Sequence, residues 1–190
     1  MMATIEALCV PLANARVVLQ PIAEVHREFL RAACAADDRI WDIYSVNLLG
    51  LDFDPAFDGK MARVDGQFAY AVLDGGTVVG CTSWYAVQPG NRAVAIGHTY
   101  LAPSARGSEI NLAMKGLMIG HAWRVGFERI HFDVDVRNTR SCAAVLKLGC
   151  QREATLRRSK ITWTGHVRDT AIFSLFPGEQ SDALRPWLHA

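Results

Sequence analysis

The sequence contains few cysteines, and they follow neither a disulfide nor a metal-binding pattern. There are five in a chain of 190 residues. An odd number without a C-x-x-C pair or a Cys/His spacing argues against a disulfide framework and against a structural metal. We therefore expect a metal-free protein of the reducing cytoplasm. The cysteines are Cys9, Cys34, Cys81, Cys142 and Cys150.

The features of a leader peptide and of a membrane span are also missing. No basic region precedes the N-terminal apolar stretch, and Pro11 and Asn14 interrupt it. No apolar run is long enough to cross a bilayer. The formal net charge is only +1, so the chain as a whole has little attraction for nucleic acid or for an acidic membrane. The sequence therefore predicts neither as a partner.

Repeats, low-complexity tracts and internal linkers are absent as well. With 51% hydrophobic residues, a chain of this length can bury one well-formed core and is too short for two comfortable ones. Strand-like and helical patterns alternate along it. We expect one α/β domain over residues 1–190.

Charge is present but unevenly distributed. Residues 34–74 carry eight acids and three bases, whereas residues 137–168 carry eight bases and one acid. Two interpretations stay open: both segments are solvated faces, or they bind a cationic and an anionic ligand respectively. The acids are Asp37, Asp38, Asp42, Asp52, Asp54, Asp58, Asp65 and Asp74. The bases are Arg137, Arg140, Lys147, Arg152, Arg157, Arg158, Lys160 and Arg168.

The first half of the sequence predicts a short strand followed by helical stretches. The strand covers 16–21, and the helical stretches cover 22–36, 38–46 and 54–64. Asp37 or Asp38 caps the second stretch, and Asp54 with Pro55 begins the third.

The second half predicts strands joined by clear turns. Hairpins cover 67–87, with its turn at Asp74-Gly75-Gly76, and 155–176, with its turn at Thr164-Gly165. Between them the pattern predicts strands over 93–101 and 129–136 and helices from Ile110 to Val125 and from Asn138 to Gly149.

The stretch PSARGSEINLAMK, residues 103–115, joins a strand to a long helix. A strand–helix–strand unit implies a parallel strand pair with a right-handed crossover. The turn before the helix then lies at the carboxyl end of a strand. Backbone N–H groups and the positive end of the helix dipole meet there, so the turn is a natural phosphate site.

Three segments in this order resemble the GNAT superfamily of acetyl-CoA-dependent N-acetyltransferases: AIGHTYLAPSARGSEINLAMK, VDVRNTRSCAAVLKLG and GHVRDTAIFSL. The most similar branch is the ribosomal-protein-alanine N-acetyltransferase type. The resemblance implies a mixed, largely antiparallel sheet with a central, splayed parallel strand pair and flanking helices. It also implies acetyl-CoA as cosubstrate, an amine as acceptor, and a homodimer as one possible assembly.

The resemblance places acetyl-CoA on particular residues of this sequence. The pantetheine arm pairs with backbone groups near Thr99, Tyr100 and Leu101, and reaches Asn138 and Ser141. The pyrophosphate lies on the turn and the helix start, and the residues implied there are Arg106, Gly107, Ser108, Ile110, Asn111 and Lys115.

The turn departs from the GNAT pattern because Glu109 and Asn111 replace glycines. Two unit charges about 4 Å apart repel by about 1 kcal/mol in water and several-fold more near a protein surface. Glu109 must therefore point away from a bound phosphate or weaken its binding. In the branch that this sequence resembles, an Asn followed by a Lys is common, as in Asn111 and Lys115. Lys115 either offsets the acid or is a solvated side chain.

The acid and base that acetyl transfer requires are not obvious in the sequence. Many GNAT enzymes have a tyrosine on the last helix as proton donor; Leu146 and Lys147 occupy that region here, so the role falls to Ser141. Ser141 is otherwise an ordinary first-turn residue. Cys142 has no His/Asp partner for acyl-enzyme chemistry and is interpreted as a small core residue.

The general base is equally open, because Ala95 stands where this branch often has a glutamate. His98, which by strand alternation shares a face with Ile96 and Tyr100, is either the base or a core histidine. Asp135 is either a base or the structural partner of an arginine such as Arg168.

A poor set of bases favours an acceptor of low pKa, because such an amine is already partly neutral. We therefore expect a peptide N-terminal α-amine or a small amine as acceptor. The alternative is a non-catalytic acyl-CoA-binding sensor or interaction module on the same fold. A nucleotide-binding domain is disfavoured, since G-x-G-x-x-G and the P-loop signature are both missing.

Overall fold

The structure is a computed structural model that describes residues 3–189, apart from the side chain of Asp65. The described part contains one sheet of eight strands. The strands are β1 (Leu12–Ala13), β2 (Val18–Pro21), β3 (Phe68–Asp74), β4 (Thr77–Gln88), β5 (Ala93–Leu101), β6 (Arg129–Asp135), β7 (Gln151–Ile161) and β8 (Val167–Leu175). The α-helices are α1 (Ile5–Leu8), α2 (Arg27–Ala35), α3 (Phe53–Met61), α4 (Ile110–Arg124) and α5 (Thr139–Leu146).

The strands lie in the order β1-β2-β3-β4-β5-β6-β8-β7. Among the described strands, β5 and β6 are the one parallel pair, and the other neighbours are antiparallel. The predicted fold class, a largely antiparallel mixed sheet with a central parallel pair and flanking helices, is confirmed.

Turn residues set the hairpins where the sequence predicts them. Asp74 pairs with Thr77 across a two-residue turn, and Gly75 and Gly76 both have positive φ, of +54° and +85°. Two successive positive φ angles are the conformation that joins twisted antiparallel strands most closely. Gly165 has a φ of +82° in the turn between β7 and β8.

Two apolar clusters cover the two faces of the sheet. The larger contains the buried residues of α4 together with those of the central strands. The smaller contains buried residues of α2 and α3 and also Trp41 and Tyr100. Across the described residues, no helix combines the length and apolar character needed to cross a bilayer.

The segment predicted as a helix over 38–46 is instead a single 3₁₀ turn, Ile40–Ile43. Tertiary contacts hold it: the ring of Trp41 is buried and stacks on Tyr100 at 4.7 Å, and its indole N–H donates to the Cys34 carbonyl at 3.3 Å. The predicted cap at Asp37 or Asp38 is wrong, because the N-cap is Arg39, which makes no side-chain capping bond. Asp37 lies two residues earlier, and its Oδ1 accepts the Ile40 N–H at 3.3 Å.

The predicted N-cap at Asp54 is wrong. Helix α3 begins one residue earlier, at Phe53, which places Asp54 in its first turn. The carboxylate of Asp54 accepts from Arg27 at 2.9 Å and from Arg31 at 2.7 Å, and so ties α3 to α2. Helix α1, strand β1 and the 3₁₀ turn Arg185–Trp187 have no counterpart among the predicted elements.

Helix α4 has a glycine groove that receives the 3₁₀ turn Arg185–Trp187. A Cβ on Gly116 would lie 2.3 Å from the Cβ of Trp187, and one on Gly120 would lie 2.0 Å from the Leu188 carbonyl oxygen. The two glycines are four residues apart, so they lie on one face of the helix. Residues 187–188 can therefore approach the helix backbone directly.

Candidate active site

The parallel strands β5 and β6 separate after a short paired stretch. Residues 93–95 pair with residues 129–131, and no further β5–β6 pairs follow in the described strands. A cavity of about 310 Å³ opens where they part. The predicted splay of the central pair is present.

The cavity brings together most of the predicted site residues, although they come from four different elements and the turn. The predicted residues that line it are His98, Thr99, Tyr100, Leu101, Arg106, Gly107, Asn111, Lys115, Asp135, Asn138 and Ser141. Ser108 and Ile110 do not line it. Ser108 is exposed, and Ile110 is buried in the core beneath α4.

The turn before α4 is open on its cavity side. Gly107 has a φ of +73°, a conformation that favours glycine, and a Cβ there would meet nothing within 4 Å. Ser108 stabilises the turn: its Oγ donates to the Ala105 carbonyl at 2.9 Å and accepts the Ile110 N–H at 3.3 Å. The first turn of α4 then presents N–H groups that have no partner within the helix.

Glu109 is the exposed N-cap residue of α4, and it lies outside the cavity although Gly107 and Asn111 line it. Its charge acts instead on Arg16, whose pKa is raised mainly by a hydrogen bond to Asp74 and slightly by Glu109. The carboxylate therefore points away from the turn, as the phosphate interpretation requires.

Arg106 connects the turn to the end of β5 and to Asp37. Its Nε donates to the Leu101 carbonyl at 2.7 Å, and its Nη1 donates to the carboxylate of Asp37. Its Nη2 is buried and has no hydrogen-bond partner. Because Arg106 lines the cavity, this donor is available to a ligand there.

Lys115 is buried, so its interpretation as a solvated lysine is wrong. Only 5% of its surface is exposed, and its Nζ donates to the Thr99 Oγ1 at 2.7 Å. The hydroxyl of Thr99 in turn contacts that of Thr82 at 2.8 Å. Burial lowers the pKa of the Lys115 amine to about 7. The side chain therefore lies between α4 and β5 at the splay.

A bulge in β5 changes the face on which His98 lies. The pairing with β4 shifts register between Cys81 and Ser83, and His98 has a φ of +49°. Ile96 consequently belongs to the larger apolar cluster and Tyr100 to the smaller one. The predicted shared face of Ile96, His98 and Tyr100 is wrong, because one extra residue in a strand reverses the alternation beyond it.

The imidazole of His98 is a weak base in this position. It packs edge-on against the ring of Tyr85, with the ring centroids 5.1 Å apart. Burial, with a smaller effect of nearby positive charges, lowers the pKa of His98 to about 3. The ring is therefore neutral at physiological pH and has little tendency to accept a proton.

Asp135 is held by Arg137 rather than by Arg168. The Arg137 backbone N–H donates to Asp135 at 2.9 Å, and its Nη2 donates at 2.8 Å. Burial alone would raise the pKa of Asp135, but these hydrogen bonds outweigh it and keep the pKa below its usual value. Asp135 is therefore a carboxylate that is already engaged, which fits the structural interpretation.

The start of α5 presents the remaining predicted residues. Asn138 is the N-cap, as predicted, and its Oδ1 accepts the Ser141 N–H at 3.0 Å. This bond fixes the backbone of Ser141 and leaves the hydroxyl at the cavity wall. Cys142 is half-buried and packs against the larger core cluster, in agreement with its interpretation as a core residue.

Comparison with known proteins adds to this geometry. A family profile described as the acetyltransferase (GNAT) domain matches residues 16–151. The chain belongs to the GNAT family. It is therefore an acetyl-CoA-dependent N-acetyltransferase, as the sequence resemblance predicts. No curated protein matches it.

Solved structures with this GNAT fold include enzymes of the predicted branch. A probable GNAT acetyltransferase from Chromobacterium violaceum is 26% identical over 90% of this chain and 88% of its own, with a TM-score of 0.83. Mycobacterium smegmatis RimJ, solved with CoA-disulfide, is 20% identical over 94% of both chains, with a TM-score of 0.79. RimL, a ribosomal L7/L12 α-N-protein acetyltransferase, is 17% identical over 88% of this chain and 94% of its own, with a TM-score of 0.76.

The acidic segment of this GNAT domain lines the cavity with residues such as Tyr44 and Lys60, but not with its described acids. Its described carboxylates are outside the lining, and several are in salt bridges, such as Asp54 and Asp58 with Arg27. The carboxylate of Asp65 lies outside the described residues. The basic segment contributes Arg140, Lys160 and Arg168 to the lining. The described geometry therefore favours an anionic ligand at the basic segment and gives no support to a cationic ligand at the acidic segment.

The sequence analysis missed several residues of the GNAT cavity. Tyr44 donates its hydroxyl to the Thr99 carbonyl at 2.7 Å, and Lys60 and Tyr85 also line the wall. Tyr44 follows the 3₁₀ turn Ile40–Ile43 and lies far from β5 in the sequence. No local pattern therefore predicted its contact with Thr99. The one sequence feature that could have indicated a role for Tyr44 is its aromatic ring within an acid-rich segment, because a large aromatic side chain is usually packed against other residues.

Proposed function

We propose that this GNAT domain transfers an acetyl group from acetyl-CoA, by direct attack, to a peptide N-terminal α-amine or to a small amine of similar pKa. The weak basicity of the two predicted general bases, His98 and Asp135, carries the proposal. His98 has a pKa of about 3, and the carboxylate of Asp135 is held by Arg137. Such groups remove few protons from an ammonium ion, so an acceptor that is already partly neutral is favoured.

The reference pKa values of amines give the size of this preference. A lysine amine with a pKa of about 10.4 is neutral in only about one molecule in a few thousand at pH 7. An α-amine with a pKa of about 7.7–8.0 is neutral in roughly a tenth of molecules. The difference is roughly a few hundredfold before any contact with the protein. The α-N activity in the description of RimL agrees with this choice.

The cavity residues fit acetyl-CoA. The open turn at Gly107 and the unpartnered Nη2 of Arg106 offer donors to a pyrophosphate. The edge of β5 over residues 99–101 has no pairing to β6, so the pantetheine amides would lie along it. The Thr99 and Leu101 carbonyls there already accept from Tyr44 and Arg106. Lys115 and Asn138 line the wall between these places.

The chain's own residues then have defined tasks. When bound, acetyl-CoA supplies an acetyl thioester, which the neutral amine attacks so that the amide bond forms, the carbon–sulfur bond breaks and CoA leaves as the thiol. The Ser141 hydroxyl gives its proton to the departing sulfur and regains one from the attacking nitrogen, and backbone N–H groups at the splay stabilise the carbonyl oxygen. We place this activity in the cytoplasm, since all five cysteines are free thiols.

A matched peptide pair tests the acceptor class. One peptide has a free N-terminus and no lysine; the other has a blocked N-terminus and one lysine. We expect thiol release from acetyl-CoA with the first peptide, at a kcat/KM roughly a few hundredfold higher at pH 7 than with the second. Equal turnover of the two would contradict the proposal. Stabilisation by CoA in a thermal shift without release on any amine would indicate a binding module instead.

A further inference from the structure

The cavity has a second group of positive side chains, separate from those at the turn. We call Lys60, Lys160 and Arg168 the basic cluster. They come from α3, β7 and β8, whereas the turn joins β5 to α4. All three line the cavity. Their charges are among the smaller causes that lower the pKa of His98, which lines the same cavity.

Lys60 is buried in this cluster without a protein partner. Only 7% of its surface is exposed, and within residues 3–189 it makes no hydrogen bond or salt bridge. The acids on the same helix are directed elsewhere, since Asp54 and Asp58 both bind Arg27. The charge of Lys60 at the cavity wall is therefore not compensated by a protein partner, and an anion in the cavity would compensate it.

Lys160 and Arg168 are direct neighbours across the β7–β8 pair. Like charges at such a position repel, because opposite Cβ atoms are only about 5 Å apart. Arg168 is 7% exposed; its Nη2 donates to the Asp133 carbonyl at 3.1 Å, and its Nε is buried without a partner. A shared anion would reduce the repulsion and would accept from the free donor.

The carboxylates that line the cavity do not neutralise the cluster. Asp135 is bound by Arg137, and its charge is also felt by Arg168. Asp133 interacts with the hydroxyl of Tyr85. In the described lining these two acids are the carboxylates available, and neither forms a salt bridge with the basic cluster.

We propose that the acceptor carries a carboxylate near its reactive amine and that Lys60, Lys160 and Arg168 bind this carboxylate. The inference rests on the proposed function and adds the substrate class to it. The carboxylate comes either from an acidic residue close to a peptide N-terminus or from the free carboxyl group of a small amino acid or dipeptide. The chemistry of recognition is the same in both cases.

Matched acceptors test the proposal. The first pair is a C-terminally amidated peptide with glutamate or glutamine at its second position. The second pair is a dipeptide with a free or an amidated carboxyl group. We expect kcat/KM to fall by about tenfold or more when the carboxylate of the productive pair is removed. The pair that discriminates identifies the source of the carboxylate. Equal rates within both pairs, or a preference for the neutral member, would overturn the proposal.

Variants assign the effect to the cluster. Lys60→Met and Lys160→Gln are expected to remove the preference for the carboxylate and to leave the KM for acetyl-CoA unchanged. Lys147→Gln, in the same basic segment but outside the cavity lining, is the control and is expected to keep the preference. Weaker binding of acetyl-CoA in the two cluster variants, with the acceptor preference intact, would assign the cluster to the cosubstrate and overturn the proposal.

A binding measurement separates this inference from the proposed function. The CoA complex is titrated calorimetrically with the acidic and the neutral member of each pair, and folding of each variant is checked by its Tm. Tighter binding of the acidic member that is lost in Lys60→Met supports the cluster even if no turnover is seen. Turnover without any difference between the members refutes the cluster and leaves the proposed function intact.

Discussion

At the residue scale, the buried Lys115 makes the pH dependence of folding predictable. Its folded pKa is about 7 against an ordinary value of 10.5, so between these pH values the unfolded chain holds a proton that the folded chain has lost. Lys115 therefore costs stability most below pH 7, and the cost disappears as the pH rises towards 10.5. The cost at pH 7 is on the order of a few kcal/mol.

The first residue-scale prediction is that Lys115→Met stabilises the ligand-free protein at pH 7 and weakens CoA binding. The gain in Tm is expected to shrink steadily towards pH 10, because the unfolded wild-type side chain then also loses its proton and the two states no longer differ in protonation. Thermal unfolding at several pH values and a CoA titration measure the two effects. Lys147→Met, at an exposed position, is the control. A variant less stable than wild type at pH 7 would refute the prediction.

The second residue-scale prediction concerns the proton for the leaving sulfur. Ser141→Ala is expected to lower kcat by roughly a hundredfold, with little change in the KM for acetyl-CoA, because a positioned acid acts mainly in the transition state. Thr139→Ala, at an exposed position on the same helix, is expected to leave both constants unchanged. Steady-state kinetics distinguishes the two. An unchanged kcat in Ser141→Ala would assign Ser141 to the helix start alone.

At the scale of elements, the glycine groove of α4 reverses a general rule. Glycine to alanine inside a helix usually stabilises by about 0.5–1 kcal/mol. Gly116→Ala is instead expected to destabilise by about 1–3 kcal/mol, because its Cβ would lie 2.3 Å from that of Trp187. Gly59→Ala in α3, where a Cβ meets nothing within 4 Å, is the matched control and should stabilise. Denaturant unfolding tests both, and equal effects would refute the packing argument.

Most elements were predictable because their signals are local. The turn at Gly75 and Gly76, the helix start at Asn138 and the apolar face of α4 depend on residues that are close in the sequence. The 3₁₀ turn Ile40–Ile43 was not predictable, since the stacking of Trp41 on a residue of β5 decides it.

The residues of the candidate site also fall into those that were predictable from local sequence and those that were not. The positions of Gly107 and Asn138 followed from the motif, and the structure places both on the cavity wall. The burial of Lys115, the approach of Lys60 from α3 and the pairing of Asp135 with Arg137 depend on the three-dimensional arrangement. A sequence shows that a lysine is present but not whether water reaches it.

At the scale of the whole molecule, the sheet ends in a long edge strand. Every residue of β7 is exposed, including Leu156 at 50% and Ile161 at 74%. An exposed apolar edge tends to pair with other chains, and charged side chains on the edge oppose this. Arg157, Arg158 and Lys160 provide that charge on β7. The same strand therefore protects the surface and supplies a cation to the cavity.

The bulge at His98 also affects how this protein is compared and altered. Up to Ile96, even-numbered residues of β5 face α4; beyond the bulge Thr99 reaches Lys115 while Tyr100 faces the opposite way. A mutational scan of β5 that assigns odd and even positions to opposite faces of the sheet would therefore mix residues of the two faces. An alignment that places a gap one residue from the true site would exchange the two faces of the sheet over residues 99–101. The bulge is therefore the point at which any residue-by-residue transfer to relatives should be anchored.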